Sequence, residues 1–138
     1  MADTTPSTCG SPPDPPGSGE VRRAVLIIDD DPVHLRIYGW ILEAAGYRSI
    51  TAMAHLDGIP LPDEPVDIVL LDYHLTGGMK ATDAAVLIRR KYPEPPILLL
   101  SDAFGLPEDI APLVNGFVRK GDPAKLIREV GRFLDGSP

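Results

Sequence analysis

The sequence predicts an α/β protein built on a doubly wound, five-stranded parallel sheet, and three observations carry that expectation. Short apolar runs recur along the chain, VLII, DIVLL and ILLL among them, too short for helices and unbroken by polar alternation, as strands buried on both faces read. Segments with apolar residues at helical spacing lie between several of them. Each of four runs ends on a polar group: Asp29, Asp30 and Asp31 after VLII, Asp72 after DIVLL, Ser101 after ILLL, and Lys120 after FVR. Ligands of such sheets bind outside the carboxyl ends of the strands, so these four groups are expected to converge on one site.

The elements follow in order. A first strand fits Ala24 to Asp29, and Asp31 with Pro32 then reads as an N-cap followed by proline at the first helical position, which makes Asp31 a cap rather than a ligand. In that helix Ile37, Tyr38, Ile41, Leu42 and Ala45 share one face, expected to be core, and Gly46 supplies the stop. Trp40 points away from that face, beside Arg36 and Ala44. Further strands fit Arg48 to Ala52, Val66 to Leu71, Ile97 to Leu100 and Gly116 to Arg119. A helix fits Ala81 to Tyr92, and Asp122 caps a last helix begun by Pro123, with Leu126, Ile127, Val130, Phe133 and Leu134 inward.

Two connections break the pattern. Pro60, Pro62 and Pro65 fall between the second and third strands, and Pro107 and Pro112 between the fourth and fifth. An interior proline costs a helix about 3 kcal/mol, so the helices expected there, the second and fourth of a regular alternation, are short or absent.

Bulk properties narrow the function. A chain of 138 residues with 43% hydrophobic content supports one domain, 21–138, preceded by a tail, 1–20, whose Pro, Gly, Ser and Thr cannot bury enough apolar area to offset the entropy of ordering. The net charge of −7 and the scattered Lys and Arg leave no footprint for nucleic acid. Cys9 is the single cysteine, no run reaches membrane-span length, and no signal segment opens the chain, so the expected setting is cytoplasmic. Carboxylates, a hydroxyl and an ammonium in one crevice suit a divalent cation and a phosphoryl group: the metal offsets carboxylate repulsion while Lys120 and Ser101 bind phosphoryl oxygens.

In that order and spacing, Asp29 and Asp30, Asp72, Ser101 and Lys120 resemble the active-site set of the receiver domains of two-component response regulators, over about Arg22 to Leu134. The resemblance implies a CheY-like, flavodoxin-like sheet of order 2-1-3-4-5. It implies Mg2+ as cofactor, bound by Asp30, by Asp29 through water, by Asp72 and by the backbone carbonyl of His74. Asp72 would be the phospho-acceptor, with Lys120 and the Ser101 hydroxyl compensating charge on the transferring group. Ser101 and Phe117 match the switch hydroxyl and switch aromatic. A histidine kinase or phosphotransfer protein would be the donor, docking on the first helix with Trp40 as a contact. The chain ends soon after Leu134, so the expected output is an unidentified protein target, without enzymatic turnover.

The sequence departs from the family pattern at several places. Asp102 stands where a small residue usually follows the hydroxyl, and a carboxylate there narrows access and repels a phosphoryl group. Gly121 replaces the usual proline after Lys120, and the loop after Asp72 lacks proline at Thr76. These departures leave open a phosphorylation-independent receiver acting as an interaction module. A haloacid dehalogenase-type phosphohydrolase is a weaker alternative: Asp29 to Val33 (DDDPV) fits its aspartate motif, but the later acidic pair is missing and Asp72 would have no role.

Overall fold

The structure, a computed structural model, describes residues 22–75, 79–102 and 105–135. The tail at 1–20, Thr76 in the loop after Asp72 and the last residues of the chain lie outside them. Five strands, β1 (Ala24–Asp29), β2 (Arg48–Met53), β3 (Ile68–Asp72), β4 (Ile97–Ser101) and β5 (Gly116–Arg119), form one sheet of order β2-β1-β3-β4-β5, every pairing parallel. The interior strands β1, β3 and β4 are buried at every residue, which is why they read as unbroken apolar runs. Edge strands β2 (RSITAM) and β5 (GFVR) are mixed in composition and half-buried.

Among the described residues, three helices flank the sheet: α1 (Pro32–Ala44), α2 (Ala81–Lys91) and α3 (Pro123–Asp135). α1 and α3 cover one face, burying Leu35, Leu42, Leu126 and Val130 on Val25, Ile27, Ile68, Leu70, Leu98 and Leu100. The opposite face carries α2, through Ala81, Ala84, Ala85 and Ile88, and two irregular segments that contribute Ala54, Val66 and Ile110. Residues 54–67 contain no helix, and among the described residues of 105–115 one 3-10 turn, Ala111–Leu113, stands where a helix would be expected. The proline-rich stretches thus have the predicted effect. Arg89 at the end of α2 anchors the PEPP stretch, donating to the carbonyls of Tyr92, Pro93 and Pro95 and to Asn115 Oδ1.

The helix ends follow the sequence closely. The Asp31 carboxylate accepts from the Val33 amide at 2.8 Å, and Asp122 Oδ1 accepts from the Lys125 amide at 3.0 Å, so both aspartates cap as expected. Gly46, at φ 97°, closes α1: its amide reaches the Glu43 carbonyl and the Tyr47 amide reaches that of Leu42, a paired closure that needs the left-handed conformation. The core face of α1 needs correction. Ile37 is 42% exposed and Ala45 is exposed, while Leu35, Gly39 and Leu42 face inward with Tyr38 at the edge. The physical reason is tertiary packing: the arc carrying Leu35 and Leu42 lies on the apolar residues of β1 and β3, Val25, Ile27, Ile68 and Leu70 among them. In α3, Ile127, Phe133 and Leu134 are only partly buried.

Candidate functional site

Register brings the candidate groups together. Ile28 pairs with Leu71, so Asp29 and Asp72 occupy the next rung at the ends of β1 and β3. Asp72 pairs with Leu100, which puts Ser101 one residue further on β4, and the Lys120 amide donates to the Ser101 carbonyl at 2.9 Å. The sheet order reverses direction between β1 and β3, and the crevice opens there, as it should at a switch point. It measures about 420 Å³, with Asp30, Asp31 and His34 on one wall and Asp72, His74, Asp102 and Lys120 on the other.

Burial makes the carboxylates unusual. Asp29 is 1% exposed and Asp72 2%, and Ser101 is fully buried. Lys120 Nζ lies 2.7 Å from Asp72 Oδ1, which also accepts from the His74 amide at 3.3 Å. Burial disfavours charge on Lys120, but the hydrogen bond and charge of Asp72 outweigh it and hold its pKa above the ordinary lysine value. Among the described residues, no ammonium lies at bonding distance from Asp29. Its Oδ1 accepts from the amides of Asp30 (2.7 Å) and Asp31 (3.1 Å), yet burial and the adjacent Asp72 charge push its pKa from 3.8 to about 7. Two buried carboxylates so close together, with Asp29 held above its ordinary pKa, are the donor set a divalent cation relieves, so the residues fit the metal that the sequence implied.

The remaining expected residues divide. The His74 ring is exposed and meets Tyr73 edge-on at 5.1 Å. Phe117 is half-buried on the α2 side of β5, opposite Leu99. Trp40 is 66% exposed on α1, away from the crevice. Asp102, exposed at the rim, lies where it can repel an anion.

Two residues escaped the sequence reading. His34 lies in the first turn of α1 with Nδ1 3.2 Å from Asp29 Oδ2 and Nε2 3.6 Å from Asp31 Oδ2. Its position three residues after the capping Asp31 was the available signal, since that spacing brings a side chain back to the cap. Tyr73, next to Asp72, donates its hydroxyl to Asp109 Oδ1 at 3.1 Å, joining the end of β3 to the irregular 105–115 segment. No local pattern links residues so far apart in sequence.

Comparison with known proteins agrees with this geometry. Residues 25–130 match the response regulator receiver domain model. The transcriptional regulatory proteins GlrR and QseF of Escherichia coli are each 29% identical over 93 residues, 67% of this chain but only 21% of theirs, so the chain spans about a fifth of the length of these relatives. Among solved structures, chemotaxis protein CheY4 of Vibrio cholerae matches 83% of this chain and all of its own, with TM-score 0.67 and 21% identity. A CheY-like receiver domain protein of Methanospirillum hungatei matches 83% of this chain and 95% of its own, with TM-score 0.70 and 22% identity. NtrX of Brucella abortus matches 85% of this chain and 28% of its own, with TM-score 0.71 and 22% identity. At such identities these structures speak for the fold, and the family model speaks for descent: the chain belongs to the response regulator receiver domain family, a signalling module of two-component systems.

Proposed function

We propose that this receiver accepts a phosphoryl group on Asp72 from the phosphohistidine of a histidine kinase or phosphotransfer protein and signals by presenting a changed surface to a protein partner. The observation that carries the reading is the buried Asp72 carboxylate, 2.7 Å from the Lys120 ammonium and on the same rung as Asp29. In the transfer a carboxylate oxygen of Asp72 forms a bond to phosphorus, the phosphorus–nitrogen bond of the donor breaks, and the departing imidazole leaves neutral after taking up a proton. Asp29, Asp30 and Asp72, with the His74 carbonyl, would hold Mg2+, which supplies charge compensation on the phosphoryl oxygens. Lys120 exchanges its contact with Asp72 for a phosphoryl oxygen, and the Ser101 hydroxyl moves to another. Phe117, half-buried beside β4, follows into the space Ser101 vacates. Trp40, exposed on α1, is the proposed contact for the donor, and the expected setting is the cytoplasm.

Mass spectrometry after incubation with acetyl phosphate and Mg2+ tests the reading. One phosphoryl adduct is expected, absent in Asp72→Ala; an adduct that persists in that variant rules Asp72 out. One observation favours a second reading: Asp102 places a carboxylate at the rim of the crevice, which suits an interaction module that works without phosphorylation. Beryllofluoride with Mg2+ separates the two, since only a competent acceptor binds it.

A further inference from the structure

We propose that His34 is a metal ligand and that its imidazole raises the affinity of the crevice for first-row transition cations more than for Mg2+. The inference rests on the cation site proposed above and deepens it. Ligand atoms of Asp29, His34 and Asp72 all lie within 4.8 Å of one another, close enough for one ion to meet all three. The arrangement is built rather than incidental. The amides of Asp30 and Asp31 occupy Asp29 Oδ1, which leaves Oδ2 facing His34 Nδ1 at 3.2 Å. The ring is carried by the first turn of a capped helix, and Tyr38, one turn on, packs against it edge-on at 6.5 Å. Lys120 pairs with Asp72, so the positive charge still wanting in the crevice belongs on the Asp29 side, where the imidazole stands.

Chemistry then decides the ion. Mg2+ is hard, binds oxygen and gives up water reluctantly, so an imidazole adds little to its affinity. Mn2+, Co2+ and Ni2+ gain progressively from a nitrogen donor. His34 is partly exposed, its side chain at 44%, so an ion reaches the ring from solvent without opening the fold. The competing role, a ring that only pairs with Asp31 and Asp29 at the helix start, leaves the preference among cations unchanged when the ring is removed.

The test loads the full chain with Mn2+ and records electron spin echo envelope modulation, which detects a directly bound imidazole nitrogen. Calorimetric titrations with Mn2+, Co2+ and Mg2+ accompany it. The nitrogen signal is expected in the wild type and in His74→Ala and is expected to vanish in His34→Ala. Mn2+ and Co2+ affinity should fall about tenfold or more in that variant while Mg2+ affinity changes less than about threefold. His34→Gln, which keeps a polar group near Asp31, repeats the comparison should the alanine variant unfold. Bound Mn2+ without a nitrogen signal overturns the role of His34 and leaves the carboxylate site standing. A signal that survives in both His34 variants assigns the nitrogen elsewhere and also overturns it. No binding of any of the three cations at millimolar concentration removes the ligand set and the carboxylate site together.

Discussion

In the proposed cation site Asp29 would couple metal binding to pH. Its pKa is raised from 3.8 to about 7 by burial and by Asp72. The folded protein therefore holds a proton that the unfolded chain has released. This contribution to stability is complete below about pH 4 and is lost as pH rises through about 7, so the metal-free protein weakens across that window. The full rise is worth at most about 4 kcal/mol, and water entering the crevice reduces it. Mg2+ bound at the proposed site would compete with the same proton. At about pH 8 roughly nine Asp29 carboxyls in ten are ionised, whereas at about pH 5.5 only about one in thirty is. With an affinity of about 1 mM for the ionised site, about 10 mM Mg2+ stabilises by roughly 1.4 kcal/mol at the higher pH and roughly 0.2 at the lower. At about 4 °C per kcal/mol, differential scanning fluorimetry should show a Mg2+ shift of about 5 °C at the higher pH and under about 1 °C at the lower. Asp29→Asn should flatten the metal-free pH profile and remove most of the Mg2+ shift. An equal Mg2+ shift at the two pH values, or an Asp29→Asn protein that keeps the wild-type slope, would refute the coupling.

Three further outcomes are expected. Gly116→Ala puts a Cβ 2.6 Å from Leu98 Cδ2 and 2.7 Å from Phe133 Cζ, and should lower stability by about 1–3 kcal/mol in urea titrations, with unaltered unfolding cooperativity. Trp40→Ala should keep wild-type stability and modification by acetyl phosphate while slowing transfer from the cognate phosphohistidine donor; unchanged transfer would remove Trp40 from the interface. Asp102→Ala should speed labelling by acetyl phosphate by about tenfold, the equivalent of about 1.4 kcal/mol of relieved repulsion, and an unchanged rate would show that the rim carboxylate does not hinder the phosphodonor.

Much of the architecture was legible because the interior strands are buried on both faces, so their apolar runs need no tertiary information to be recognised. The caps Asp31 and Asp122 and the stop at Gly46 were legible for a similar reason: each satisfies backbone groups within a few residues of itself. The face of α1 was not. Apolar side chains cover two overlapping arcs of that helix, Ile37 and Ile41 on one and Leu35 and Leu42 on the other, and the choice depends on which arc meets the apolar residues of β1 and β3. At the site, Asp29, Asp72, Ser101 and Lys120 could be read from their places after apolar runs, because parallel strands deliver their ends to one edge. His34 belongs to a helix, and its approach to Asp29 depends on how α1 leaves β1. A raised pKa at Asp29 likewise follows from three-dimensional neighbours that spacing cannot supply.

The uneven covering of the sheet has a dynamic consequence. One face is closed by two full helices, whose amides are protected by continuous i to i−4 bonding; the other is closed by α2 and by two proline-interrupted segments. Amide exchange in α1 and α3 should require opening near the global unfolding free energy, while amides of 54–66 and 105–115 should exchange through small local fluctuations. Tyr73 joins the end of β3 to the second of these segments through Asp109. A displacement at the end of β3 can thus be absorbed by a segment that has no regular helix to melt, and the cost of rearranging that face is set by a few side-chain contacts.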